Sequence, residues 1–141
     1  MTAQLDQAQT TSQPPQSLVN TAHLVYGLHA WSVITGIIGA ATVVGMFLTG
    51  WPSIIAVIIN YVKRPDARGT WLDTHFGWQI RTFWYALMWA VIGAIAFVLL
   101  WWVLGLGILL GAAIWGIAGL WVIYRIVRGW LALASAKPMP A

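Results

Sequence analysis

The sequence predicts an all-α fold, an integral membrane bundle of three to four helices. The 141 residues are 60% hydrophobic and 7% charged, with a mean hydropathy of +0.79, whereas soluble domains carry about 25% charged residues. Between Thr82 and Tyr124 the only ionisable side chains are tyrosines, and about 20 apolar residues already cross a bilayer. Eleven tryptophans, several near the expected ends of the spans, are typical of membrane-interface belts.

The composition also excludes several classes of function. The chain contains no cysteine, so it has no disulfide framework, no thiolate nucleophile and no cysteine-based metal site. Seven basic and three acidic residues give a net charge of +4, but the basic residues flank the apolar segments. They favour contact with the lipid bilayer and its headgroups over binding of nucleic acid, since no basic face with interleaved aromatics is present.

The chain divides into a polar tail, a membrane domain and a short end. Residues 1–21 are rich in Gln, Thr, Ser and Pro and lack apolar periodicity, which predicts a disordered polar tail. We do not expect this tail to be a signal peptide, because no positively charged region precedes an apolar stretch. Residues 22–137 form the predicted membrane domain, and residues 138–141 form a second tail.

The first apolar region is predicted to be a hairpin interrupted by proline. Residues 23–49 are long enough for a membrane helix, and Gly50-Trp51-Pro52 follows them. Proline suits a helix start and disrupts a helix interior, so a second helix is predicted over residues 52–62. That helix is too short to cross a bilayer alone, which favours a return of the chain at the proline. One long kinked span is the alternative.

The next helix is predicted over residues 71–102. Thr70 and Asp73 fit a capping box at its start, and the first turns are expected to lie at the membrane surface. Four apolar residues recur there at helical spacing: Leu72, Phe76, Ile80 and Phe83.

The last helix is predicted over residues 106–130, after a tight turn marked by Gly105 and Gly107. Basic residues lie before and after the last two spans: Lys63, Arg64, Arg68 and Arg81, then Arg125, Arg128 and Lys137. Two crossings separate these groups, so the positive-inside rule places both in the cytoplasm. The predicted protein is therefore multi-pass, with the basic loop and the C-terminus cytoplasmic and, for a hairpin, the N-terminus as well.

Small residues indicate where helices could pack closely. Gly107 and Gly111 form a GxxxG motif, and the small-residue pattern extends along both apolar regions. The candidate helix-packing positions are Gly36, Gly45, Gly107, Gly111 and Gly116. Packing among the helices of the chain itself is the favoured interpretation, and self-association is the alternative.

The densest polar cluster consists of Asp73, His75, Gln79 and Arg81. It has neither a nucleophile motif nor a paired carboxylate, so we interpret it as a capped, solvated helix start at the interface, with a binding surface for a headgroup or partner as the alternative. The three histidines lack metal-ligand spacing and are interpreted as interfacial side chains with one end in water. The sequence thus predicts no catalytic residue, no metal site and no cofactor.

Transport coupled to protons or ions normally requires ionisable residues inside the spans. Tyrosine aside, residues 30–60 and 82–124 contain none. Thr35, Thr42 and Thr49 recur every seven residues, which leaves open a channel formed by oligomerisation. More often such threonines hydrogen-bond to their own backbone or to a neighbouring helix.

Several short motifs in this layout match a known family. They are His23-Leu24 at the start of the first apolar segment, Trp51-Pro52-Ser53-Ile54-Ile55, the Lys63-Arg64 loop, Phe76 followed by Trp78-Gln79-Ile80, and the basic end at Arg125 and Arg128. Over about residues 22–137 the chain resembles the MamF/MmsF-like family of small bacterial membrane proteins, a domain of unknown function that is distantly similar to a chloroplast inner-envelope translocon subunit.

The resemblance implies three or four membrane helices and no enzymatic activity. Where the family usually has Asn-Phe-Gln at the helix entry, this chain has Gly77-Trp78-Gln79, and its first apolar region is longer. Magnetosome members of the family influence crystal formation. That role is not carried over, because this sequence offers no acidic, mineral-facing surface.

Two classes of function follow from the sequence. The first is a non-enzymatic structural or accessory subunit whose helices pack against a membrane protein partner or against a second copy. The second is a small transport or channel component that acts as an oligomer.

Overall fold

The computed structural model describes residues 13–39, 43–100, 103 and 105–140, with side chains for all of these except residues 38, 39 and 43–49. Every regular element in these residues is helical. The elements are α1 (Gln16–Gly39), α2 (Val43–Lys63), a 3-10 turn (Arg64–Ala67), α3 (Leu72–Leu100) and α4 (Leu106–Ala134). The predicted all-α class is therefore confirmed, with four long helices in the described part of the chain.

The four helices form two antiparallel hairpins. In the first, α1 packs along α2, and the side chains of His29 and Ser53, which are equally distant from residue 41, lie 3.1 Å apart. In the second, α3 packs along α4, and Trp115 Nε1 donates a hydrogen bond to the carbonyl of Ala90 at 3.3 Å. Both ends of the described chain therefore lie at the same end of the molecule.

The first apolar region does form a hairpin, but the predicted position of its turn is wrong. The chain reverses between Gly39 and Val43 and not at Gly50-Trp51-Pro52, since Pro52 lies inside α2. Residues 40–42 lie outside the described part of the chain. Glycine is the residue most typical of a helix C-terminus, and interior proline is tolerated where neighbouring helices and local adjustments satisfy the released backbone carbonyl.

The predicted bounds of the polar tails also differ from the structure. Helix α1 begins at Gln16, directly after two prolines, so residues 16–21 are helical and only residues 1–12 of the predicted tail lie outside the described part. Proline is common at the start of a helix, because the first turn leaves its N–H groups unpaired and proline has none. At the other end α4 continues to Ala134, and Met139 is buried instead of lying in a free tail.

The predicted capping box is only half formed. Thr70 Oγ1 accepts from the N–H of Leu72 at 3.3 Å, as an N-cap does. The Asp73 carboxylate does not return to Thr70, because it pairs with the Arg64 guanidinium at 3.0 Å. The ion pair ties the 3-10 turn to the first turn of α3.

The connection between α3 and α4 contains the predicted turn glycine. Gly105 has φ +75°, in the left-handed region that glycine adopts without steric cost. Gly107, predicted as a second turn residue, lies inside α4 and is buried. Residues 101, 102 and 104 lie outside the described part of the chain.

The hydrophobic core lies at the end of the molecule that holds Gln16, the 3-10 turn and Ala134, which we call the junction end. All the elements except α2 contribute to its main cluster, although Ala56 and Val57 of α2 are buried as well. Its buried residues are Leu18, Ala22, Tyr26, Ala67, Leu72, Phe76, Trp78, Ile126, Leu133 and Met139. Three of the four apolar residues predicted on one face of α3 are buried, Leu72, Phe76 and Ile80.

The opposite end, where each hairpin turns, we call the distal end. Helices α3 and α4 are long and apolar enough to span a membrane, yet only 6% and 11% of their most apolar windows are buried inside the protein. The core helix of a soluble protein would be mostly buried. Large apolar side chains such as Leu99 and Leu109 are each 70% exposed, so the outer surface of this hairpin is apolar.

Candidate functional site

The predicted polar cluster does not form one site in the structure. Its two charged members hold different segments against the start of α3. Asp73 pairs with Arg64 of the 3-10 turn, whereas Arg81 Nη2 donates to the carbonyl of Pro140 at 2.8 Å. These contacts fasten the segments on either side of α3.

His75, another member of that cluster, is fully buried. Its Nε2 lies 2.6 Å from the carbonyl oxygen of Lys137, and its Nδ1 lies 3.1 Å from the hydroxyl of Tyr26. Because a carbonyl only accepts, Nε2 carries the proton and Nδ1 accepts from the tyrosine. The interpretation of His75 as a half-hydrated interfacial side chain is therefore wrong, since it joins α1, α3 and the C-terminal segment.

Buried amides lie among these packed helices. Gln79, the fourth member of the predicted cluster, is 1% exposed and donates from Nε2 to the carbonyl of Ala22 at 3.2 Å. Its Oε1 atom has no partner in the described residues, and neither side-chain polar atom of the fully buried Asn60 has one. A buried amide without partners is destabilised relative to its hydrated form, so these two residues are the least satisfied side-chain amides of the described region.

An apolar cleft of about 620 Å³ lies between the two hairpins. All four helices line it, and small residues occupy much of its wall. The small lining residues are Gly36, Gly50, Ala86, Ala90, Ala118 and Gly119. This volume is in the range of pockets that bind small molecules, but a wall of glycine and alanine is typical of surfaces where membrane helices approach each other closely.

The cleft also has polar lining residues, His29, Ser32, Ser53 and Thr82. His29 Nδ1 and Ser53 Oγ are hydrogen-bonded at 3.1 Å, whereas His29 Nε2 and Ser32 Oγ are buried without a partner in the described residues. The interpretation of a histidine with one end in water is wrong for His29 as well, because only 6% of its surface is exposed. His23, in contrast, is half-buried and accepts from Trp130 Nε1 at 3.0 Å.

The predicted helix-packing glycines fall into different environments. Gly107 and Gly111 are buried, and a Cβ at Gly111 would lie 3.3 Å from Phe97 Cβ, so Gly111 packs against α3. Among the described residues, no atom lies within 4 Å of a Cβ built at Gly36 or Gly116, so neither glycine makes a close helix contact in that part of the chain. Gly45 lies in α2, and its surroundings fall outside the described residues.

Two packing glycines were missed by the sequence analysis. A Cβ at Gly93 would overlap the indole of Trp115, and a Cβ at Gly129 would overlap the hydroxyl of Tyr26. Gly93 therefore sets the approach of α3 and α4, and Gly129 sets the approach of α4 and α1. An isolated glycine inside an apolar helix could have indicated both positions, because glycine is otherwise unfavourable there.

Only one of the three threonines at seven-residue spacing, Thr35, has a described side chain. Thr35 Oγ1 donates to the carbonyl of Trp31 in its own helix at 2.7 Å, as threonines in apolar helices commonly do. The side chains of Thr42 and Thr49 lie outside the described residues.

Among the described residues, no three or more His, Cys, Asp or Glu side chains form a group that could hold a metal ion. Comparisons with protein-family models, with curated proteins and with solved structures found no match to this chain. The similarity to the MamF/MmsF-like family stays a prediction from short motifs.

Proposed function

We propose that this protein is a non-enzymatic, multi-pass protein of the bacterial inner membrane that acts as a structural or accessory subunit by packing against a transmembrane helix of a partner. The single observation that carries the proposal is the apolar cleft between the hairpins, whose wall is rich in glycine and alanine. Such residues let a neighbouring helix approach closely enough for van der Waals packing in a bilayer.

The apolar lengths of the helices support the membrane location. Residues 82–100 of α3 and 106–124 of α4 contain no charged side chain, and each stretch is about 28 Å long at 1.5 Å per residue. The hydrocarbon core of a bilayer is about 30 Å thick. The basic residues then cluster at the junction end, and the positive-inside rule assigns this end to the cytoplasm.

The polar groups of the cleft suit a helix of a partner better than they suit hydrocarbon tails. His29 Nε2 and Ser32 Oγ have no partner in the described part of the chain, and an unsatisfied polar group inside a bilayer is costly. After a change of rotamer that turns these buried atoms toward the cleft, a serine, threonine or backbone carbonyl of a neighbouring helix would satisfy them, as interhelical hydrogen bonds do in other membrane proteins.

A matched pair of variants tests the proposal. Gly36→Leu fills the cleft, whereas Gly116→Leu places the same side chain on the exposed face of α4, and neither new side chain would meet another atom at its Cβ. After gentle detergent extraction, mass measurement of the complex should show a partner protein with the wild type and with Gly116→Leu. The Gly36→Leu variant should show no bound partner protein. Retention of the partner by a folded Gly36→Leu variant would contradict the proposal.

The same mass measurement separates the accessory role from its alternative, a small transport or channel component acting as an oligomer. A heteromeric complex supports the accessory role. A symmetric oligomer of this chain with a hydrated centre would instead establish the alternative.

A further inference from the structure

Two arginines of α4 are held against one tryptophan of α3. The Cζ atom of Arg125 lies 3.5 Å from the centre of the Trp78 ring, and the Cζ atom of Arg128 lies 5.6 Å from it. Residues three apart share one face of a helix, and a guanidinium over an indole face is attracted by the ring quadrupole. Trp78 therefore gathers two positive charges at one place, where α3 and α4 meet.

Most hydrogen-bond donors of these two side chains have no partner among the described residues. Arg125 donates from Nε to Thr82 Oγ1 at 2.7 Å and from Nη2 to the carbonyl of Trp78 at 3.4 Å. Arg128 donates from Nη1 to the Tyr124 hydroxyl at 2.9 Å. Each guanidinium has five N–H donors, and all these acceptors are uncharged, so neither arginine has an anionic partner among the described residues.

A third guanidinium adds to this charge. Arg81 is on α3, three residues after Trp78 and directly before Thr82, whose hydroxyl accepts the hydrogen bond from Arg125 Nε. Its described acceptor is the neutral carbonyl of Pro140. Arg81, Arg125 and Arg128 thus make a cluster of three positive charges, and we call it the arginine cluster.

The acidic residues nearby are already paired with other bases. Asp66 pairs with Lys63 at 3.5 Å, and Asp73 pairs with Arg64 at 3.0 Å. The Arg64 guanidinium lies beside that of Arg81, since atoms of both are 3.7 Å from a Cβ built at Gly77. Asp73 therefore offsets the charge of Arg64, and the charges of the arginine cluster remain without a carboxylate in the described part of the chain.

The arginine cluster lies where the charge-free part of the second hairpin ends. The apolar stretches 82–100 and 106–124 come directly after Arg81 and directly before Arg125. In the membrane location proposed above, the hydrocarbon would end at this level, and the phosphate groups of lipids would begin there. Guanidinium groups bind phosphate oxygens through pairs of parallel N–H donors.

We propose that Arg81, Arg125 and Arg128 form a binding site for the phosphate group of an anionic lipid in the cytoplasmic leaflet. The inference rests on the proposed membrane location, because only that location brings lipid phosphates to the level of the cluster. Binding of an anion would offset the repulsion among these like charges, which is stronger at the half-buried Arg81 and Arg125 than at the exposed Arg128.

The experiment measures lipid retention by the full chain, using native mass spectrometry in micelles doped with phosphatidylglycerol or phosphatidylcholine at equal concentration. The wild type should retain phosphatidylglycerol in preference to phosphatidylcholine. Arg128→Gln should weaken retention roughly tenfold, which corresponds to about 1.4 kcal/mol, because it removes a charge-assisted hydrogen bond to the phosphate. Arg68→Gln is the matched control. Arg68 is exposed and lies outside the arginine cluster, and its substitution removes the same charge.

Equal losses in Arg68→Gln and Arg128→Gln would overturn the proposal, because they would show general electrostatic attraction and no defined site. Release of the lipid by millimolar inorganic phosphate would overturn the assignment to a lipid and identify free phosphate as the ligand. Arg128→Lys keeps the charge, and partial recovery of retention in this variant, with helicity unchanged by circular dichroism, would support the site.

Membrane integration is measured separately by alkaline carbonate extraction. Extraction of the protein into the soluble fraction would contradict the proposed function itself. A protein that stays in the membrane but shows no preference for phosphatidylglycerol would contradict the lipid site alone.

Discussion

At the scale of single residues, glycines set the distance between packed helices. We expect alanine substitutions at Gly93 and Gly116 to change stability in opposite directions. Gly93→Ala should destabilise the protein by about 1–3 kcal/mol, because the new methyl group overlaps the indole of Trp115. That ring is hydrogen-bonded to Ala90 and stacked on Phe97, so it cannot move away without losing contacts. Thermal unfolding in detergent measures the change.

Gly116→Ala is the control for this experiment. Its methyl group would meet no atom, and alanine favours a helix over glycine by about 1 kcal/mol. Its unfolding temperature should therefore rise or stay constant. A similar loss of stability in both variants would show that Gly93 has no special packing role.

His75 provides the second prediction at this scale. His75→Ala should lower stability by about 1–3 kcal/mol, because it leaves the Tyr26 hydroxyl and the Lys137 carbonyl without their buried partner. His23→Ala, at the half-buried histidine, should have a smaller effect. Chemical unfolding followed by tryptophan fluorescence compares the two, and an equal effect would contradict the assigned role of His75.

The site residues were only partly predictable because a histidine or glutamine carries no local signal of burial. His75 and Gln79 stand between an acid and an arginine in the sequence, a pattern typical of a solvated helix start. Their burial depends on α1 and on the segment around Lys137, which are distant along the chain. The cleft was missed for the same reason, since four separate helices form its wall.

At the scale of helices, a substitution of Pro52 distinguishes the predicted turn position from the observed one, because Pro52 lies inside α2. Pro52→Ala should keep or raise the unfolding temperature, because proline in a helix interior costs up to about 3 kcal/mol relative to alanine. A turn at this position would give the opposite result, since proline pre-sets the backbone of a turn. Circular dichroism melting in detergent provides the measurement.

Pro65 is the matched control at this scale. It lies at the start of the 3-10 turn, where proline limits the freedom of the unfolded chain. Pro65→Ala should therefore lower stability by about 0.4–1 kcal/mol. A clear loss in Pro52→Ala, equal to that in Pro65→Ala, would contradict the placement of Pro52 inside a helix.

Helix existence was predictable where charge and hydropathy change abruptly, as at both ends of residues 82–124. Gly105 also indicated the second turn, because its left-handed backbone favours glycine. The first turn could not be predicted in the same way. Residues 40–42 are Ala, Ala and Thr, which carry no turn signal, whereas Gly50-Trp51-Pro52 carries a strong one.

At the scale of the whole molecule, two antiparallel hairpins place both ends of the described chain, near residues 13 and 140, at one end and both turns at the other. The chain has no cysteine, so single cysteines can report on each end without a background. Ser17 and Ser135 are exposed at the junction end, and Val103 is exposed at the distal end. Because each hairpin returns the chain to its starting side, cysteines at the two serine positions should behave alike and unlike a cysteine at Val103.

The positive-inside rule adds the direction of this difference. In intact cells a membrane-impermeant thiol reagent should label Val103→Cys, whereas Ser17→Cys and Ser135→Cys should require permeabilisation. The reverse pattern would keep the two-hairpin arrangement and overturn the orientation. Labelling of Ser17→Cys together with Val103→Cys would contradict the arrangement itself, since α1 and α2 would then lack the return that places both chain ends on the same side of the membrane.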